Sequence, residues 1–170
     1  NQTLKKDAFN IIKDELKQLK IPTMFLNNIE KIIWKCEKEE SEYETTRKLL
    51  KSSNGKNLYS VVSKSANQSE YFLLINQKIN DLNLYNSISI QTNKSRNRVI
   101  KNNVSDSTFV FFKTKESNKL PFIINSPFIV TPGRENLKEK DDNNDLRIKE
   151  LKKLFVGSLQ LIKSWSPKIL

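Results

Sequence analysis

The sequence predicts an α+β fold: two N-terminal helices, an antiparallel sheet of about five or six strands, and a long C-terminal helix packed on that sheet. Three observations lead there. Apolar residues recur at three-and-four spacing over residues 1–52, the spacing contracts to about two between Asn57 and Val130, and it widens again from Ile148 to Trp165. With 170 residues, 36% of them apolar, the chain has the length of one domain and enough Ile, Leu, Val and Phe to close a core.

Leu4, Ala8, Ile11, Ile12, Leu16 and Leu19 place one apolar stripe on a first helix. Ile21-Pro22 interrupts it, because proline lacks a donor and restricts the residue before it. A second helix is expected to start there, with a stripe of Phe25, Ile29, Ile32, Ile33 and Cys36 that thins to Tyr43 and Leu50 across the charged stretch Glu37 to Lys48. A helix from Thr23 to Ser52 would be roughly 45 Å long at about 1.5 Å per residue. Its second half is therefore expected to project beyond the core, and Ser53-Asn54-Gly55 supplies the stop.

Strands are expected at Leu58–Ser63, Tyr71–Gln77, Ile88–Thr92, Val99–Lys101, Phe109–Thr114 and Phe122–Val130, joined by short polar connections as in an antiparallel meander. Tyr71 to Ile75 and Phe109 to Phe112 are apolar without alternation, which predicts strands covered on both faces. The stripe Ile148, Leu151, Leu154, Phe155, Leu159, Ile162 and Trp165 predicts the final helix. Asp141, Asp142 and Asp145 sit where a helix N-terminus favours negative charge, and Pro167 ends the helix.

The composition excludes several chemistries. Histidine is absent, which removes Ser-His-Asp and Cys-His catalysis and every zinc site that needs an imidazole. The three glycines are scattered and form no phosphate-cradling loop. Cys36 has no partner thiol and reads as a structural residue of the second helix. A metal-dependent nuclease needs clustered carboxylates beside a lysine, but residues 53–134 hold only Glu70, Asp81, Asp106 and Glu116, and no acid-x-Lys strand motif. No enzyme activity, cofactor or metal is expected.

Charge is unevenly placed. The net +11 divides into +2 over residues 1–52, +7 over residues 53–134 and +2 over residues 135–170. The sheet region thus carries most of the positive field. Lys94, Arg96, Arg98 and Lys101, with Lys113 and Lys115, are the candidate polyanion-binding residues, because arginine forks and short polar side chains suit phosphate oxygens. The solvated alternative is that these lysines keep an edge strand soluble.

The leading functional expectation is a non-catalytic protein-protein interaction module within a larger intracellular assembly, nuclear and chromosome-associated or cytoplasmic. The chain opens on Asn1, which reads as a domain of something longer. Trp34, Tyr43, Arg47 and Leu50 on the projecting helix are the candidate residues for contact with a partner protein or a second copy. The alternatives are DNA or RNA binding through the basic sheet and, third, an anionic phosphoinositide membrane. No apolar run reaches the length of a membrane helix. The element order is similar to RWD-like interaction domains or, with a closed barrel, to the pleckstrin-homology type.

Overall fold

A computed structural model of the chain describes residues 2–17, 19, 21–36, 39–65, 68–79, 84–100 and 106–169. Helix α1 spans Gln2–Lys17. Eight strands follow: β1 (Lys31–Cys36), β2 (Glu39–Ser53), β3 (Lys56–Ser65), β4 (Gln68–Ile79), β5 (Leu84–Thr92), β6 (Ser107–Val110), β7 (Phe112–Ser117) and β8 (Ile123–Asn125). Helix α2, Asp142–Trp165, closes the order. The strands form one sheet in the order β1-β2-β3-β4-β5-β8-β6-β7.

This corrects the expected architecture in two ways. The second N-terminal helix does not form: its residues make a turn at Ile21–Phe25 and then the long hairpin β1–β2. The sheet has eight strands rather than five or six and is mixed, because β6 runs parallel to β8 with Thr108 opposite Ile124. The physical reason for the first correction lies in β2. Glu40, Glu42, Glu44 and Lys48 alternate with Tyr43, Thr45 and Arg47 at a period of two, so one face is charged and solvated while the other packs inward. Paired across from β1 and β3, that stretch satisfies its backbone in a ladder, with Ile32 opposite Tyr43 and Arg47 opposite Val61. The two-helix opening on which the likeness to RWD-like domains rested is therefore missing.

The central strands pack on both faces. Leu58, Leu73, Ile75, Ile88 and Ile90 point to one side, where α2 lays Leu151, Leu154, Leu161 and Ile162 over them. Val61, Phe72, Leu74, Phe109 and Ile123 point to the other, where Ile21, Met24 and Phe25 cover them. The unbroken apolar run of β4 follows from this arrangement, and Phe72, Leu73, Leu74 and Ile75 are all fully buried. Each such side chain contributes about 2 kcal/mol by leaving water.

Helix α2 starts where the Asp141 side chain accepts from the Asn143 and Asn144 backbone N–H groups. It stops at Ser166, just before Pro167. The expected strand Phe109–Thr114 is instead two strands, reversed at Phe111, whose φ of 65° is unusual for a bulky residue. That turn is fixed by the Phe111 N–H donating to Asn125 Oδ1 at 2.9 Å and by Arg134 donating to the Val110 carbonyl at 3.0 Å. Of the expected strand Val99–Lys101, Val99 makes a single bridge to Thr92 and the Ile100 N–H donates to the Gln91 carbonyl at 2.9 Å; Lys101 lies outside the described residues. The expected Phe122–Val130 strand shrinks to β8, and Asn144 instead bonds the Ile129 backbone.

Candidate functional site

The four candidate partner residues all make contacts within the chain. Trp34 lies on β1 opposite Ser41 and is 9% exposed. Tyr43 is 2% exposed and donates its hydroxyl to the Leu16 carbonyl at 2.6 Å. Arg47 reaches under the turn and donates to the carbonyls of Thr23, Met24 and Leu26 at 2.6, 3.2 and 3.0 Å. Burial holds its guanidinium below the usual value, while Glu30 pulls it back up. Leu50, at the bulge between Leu49 and Lys51, packs half-buried on the α2 side of the sheet. The alternation of β2 explains the set: Tyr43 and Arg47, at odd positions, share the inward face, and Leu50, at an even one, falls on the opposite face.

What remains on the surface near these residues is α1. Its C-terminal part is tied to the sheet by Lys13 and Lys17, which both pair with Glu39, and by the Leu16 carbonyl under Tyr43. Hydrogen bonds from Lys17 and Lys13 hold the Glu39 carboxyl below its ordinary range. Phe9, Ile11 and Ile12 of the same helix are 46%, 60% and 58% exposed. Ile29 and Ile33, just before and within β1, are exposed as well. Beside them β1 and β2 carry the pairs Lys31–Glu42 and Lys35–Glu40, and Lys64 of β3 pairs with Glu44. No described strand pairs with the outer side of β1. Ile11 and Ile12 were legible as apolar positions of a helix, but their exposure shows only in the fold.

The candidate polyanion residues divide among three settings. Lys94, Arg96 and Arg98 occupy the turn after β5, pinned by the Asn93 amide donating to Asn97 Oδ1 at 2.7 Å. Within it the Arg96 guanidinium lies 5.5 Å from the centre of the Tyr71 ring and donates to the Lys94 carbonyl at 3.2 Å. Lys113 lies on the edge strand β7, opposite Phe109, and lines a cleft with Ser63, Ser65 and Glu70. Lys115 is paired with Glu135, which holds its ammonium above the ordinary lysine value. The structure thus brings Lys94, Arg96 and Arg98 together on one turn and sets Lys113 and Lys115 on another strand. Of the sheet-region acids, Glu70 accepts from Gln91, and Asp106 accepts from Ser117; Asp81 lies outside the described residues.

Among the described residues no group of three or more Asp, Glu or Cys side chains is arranged to hold a metal ion. No described helix is long and apolar enough to cross a membrane. Cys36 ends β1, half-buried and unpaired. Comparison with protein-family models, with curated proteins and with solved structures returned no match to this chain.

Proposed function

We propose that the domain is a non-catalytic protein-interaction module in which the outward face of α1 and the neighbouring edge strand β1 receive a partner protein. The observation that carries this reading is the exposure of Phe9, Ile11 and Ile12 on a helix attached to the sheet through its last turns. An amphipathic helix gains its stability from burying its apolar side, and here that side is left to water by its own chain. A partner groove or helix that covers it removes the apolar surface, and the lysines and glutamates of β1 and β2 supply a polar rim. The replacement of Ile11 and Ile12 by glutamate tests this: partner binding weakens by about tenfold or more, while the domain stays folded because neither side chain is in the core. Equal binding by the variant refutes the reading.

A second reading, nucleic-acid binding, is favoured by the Arg96–Tyr71 pair. An arginine held over a ring, with Lys94 and Arg98 exposed beside it, is a preformed contact for a phosphate or a stacked base. Under it, affinity for single-stranded RNA or DNA falls steeply with salt, and neutralising Arg96 and Arg98 flattens that slope. No shift at low salt eliminates it.

A further inference from the structure

We infer that the cleft between the β2–β3 hairpin and α2 is a binding site for a phosphate group, independent of the surfaces considered above. Three observations converge on it. The cleft, about 300 Å³, is lined by two lysines, Lys51 and Lys56, with Ser53, Asn54, Gln160 and Ser164 around them and no carboxylate in the lining. Lys51 is aimed across it, donating to Ser164 Oγ at 2.9 Å. Lys56, from β3 of the same hairpin, reaches α2 against Gly157 in the middle of that helix.

Gly157 is the informative residue. A glycine inside a helix costs about 1 kcal/mol relative to alanine, and α2 shows no kink device or cap at that point that calls for one. A Cβ there would stand 2.8 Å from Lys56 Cε and 3.2 Å from its Nζ. The missing side chain is what lets the Lys56 ammonium rest against the helix, on the same cleft as Lys51. Two lysines line the cleft and no acid in the lining neutralises them. A phosphate monoester matches the set: it carries between one and two negative charges at about pH 7 and three acceptor oxygens. The lysines supply charge, and the Ser53 hydroxyl and the Asn54 and Gln160 amides supply further donors. Asn54 and Gly55, both at positive φ, fix the hairpin that carries one wall.

The source of the phosphate, a soluble ester or a lipid headgroup, is decided by two probes. The whole domain is titrated with glycerol 3-phosphate, followed by amide NMR, and in parallel it is sedimented with phosphatidylcholine vesicles containing a phosphatidylinositol monophosphate. The amides of Asn54, Lys56, Gly157 and Gln160 should shift and saturate with glycerol 3-phosphate, while chloride at equal ionic strength leaves them in place. The Lys51→Gln/Lys56→Gln variant should lose about tenfold or more in affinity. Gly157→Ala should keep the helical signal, with stability equal or higher, and still bind more weakly because Lys56 is displaced. Binding to both probes assigns a lipid source and binding to glycerol 3-phosphate alone a soluble one. Shifts that do not saturate, or affinity for either probe unchanged in both variants, overturn the site.

Discussion

The Arg47 guanidinium donates to the main-chain oxygen of Thr23 at 2.6 Å, across a sequence separation that joins the inward face of β2 to the turn Ile21–Phe25. The same nitrogen reaches Met24 and Leu26, so its two hydrogens are shared among three carbonyls of a segment that has no sheet ladder of its own. Thr23 and Thr45, joined through their hydroxyls, add a second link between the same elements. Arg47→Met keeps much of the stem but removes these bonds, leaving the Thr23 and Leu26 carbonyls with only the long turn bonds from the Leu26 and Ile29 N–H groups. It should lower stability by about 2–4 kcal/mol, with Arg47→Lys intermediate, measured as a shift in the urea midpoint.

A second stitch holds the start of α2. Asn144, 4% exposed, accepts from the Ile129 N–H at 2.8 Å and donates to the carbonyls of Ile129 and Lys138 at 2.8 and 3.0 Å. Asn144→Ala should cost about 2–3 kcal/mol. Asn144→Asp should cost more, since a carboxylate would face two carbonyl oxygens and lose both donors. Chemical denaturation of the two variants checks the order.

The acid side of the pH profile follows from Glu150, Asp141 and Glu39. Burial pushes the Glu150 carboxyl up, but hydrogen bonds from Asn86 and Arg147 outweigh it and leave the group below its ordinary 4.5. Burial opposes the shift at Asp141 too, where N–H groups of α2 and Lys138 bring it below 3.8. A carboxyl depressed in the folded state binds protons more readily when unfolded. Its stabilisation is therefore complete above the unfolded value and drains away as pH falls through the folded one. Stability should fall between about pH 5 and pH 3, and Glu150→Gln should flatten that fall in urea titrations across the range.

The helix α2 was legible because it shows a single period, and the central strand β4 because its apolar run is unbroken. In α2, Leu151, Leu154, Leu161 and Ile162 repeat at helical spacing on a continuous stripe, and the acidic start and Pro167 mark its ends. The region Ile29 to Ser52 misled because two spacings coexist in it. Ile29, Ile32, Ile33 and Cys36 fit three and four, yet Ile32 and Ile33 stand on opposite faces of β1. The charge of Glu40, Glu42, Glu44 and Lys48 resembled the solvated side of a helix. Its strict alternation with Tyr43, Thr45 and Arg47 was the signal for a strand. The parallel β6–β8 pairing had no local signature, since the strands are short and the reversal at Phe111 uses neither glycine nor asparagine. The candidate surfaces inherited these errors. Trp34 and Tyr43 were placed on a projecting helix and lie inside the sheet structure, whereas the lysines of the α2 cleft are brought together only by the fold.

Under the proposed function, α1 presents its apolar face to a partner protein. A photoreactive phenylalanine analogue in place of Ile12, activated in the source cells, tests it most directly, with the same residue at Lys94 as the comparison. A discrete cross-linked protein is expected from position 12, absent from position 94 and lost when Phe9 and Ile11 are changed to glutamate. Cross-links to nucleic acid at position 94 with none to protein at position 12 would contradict it.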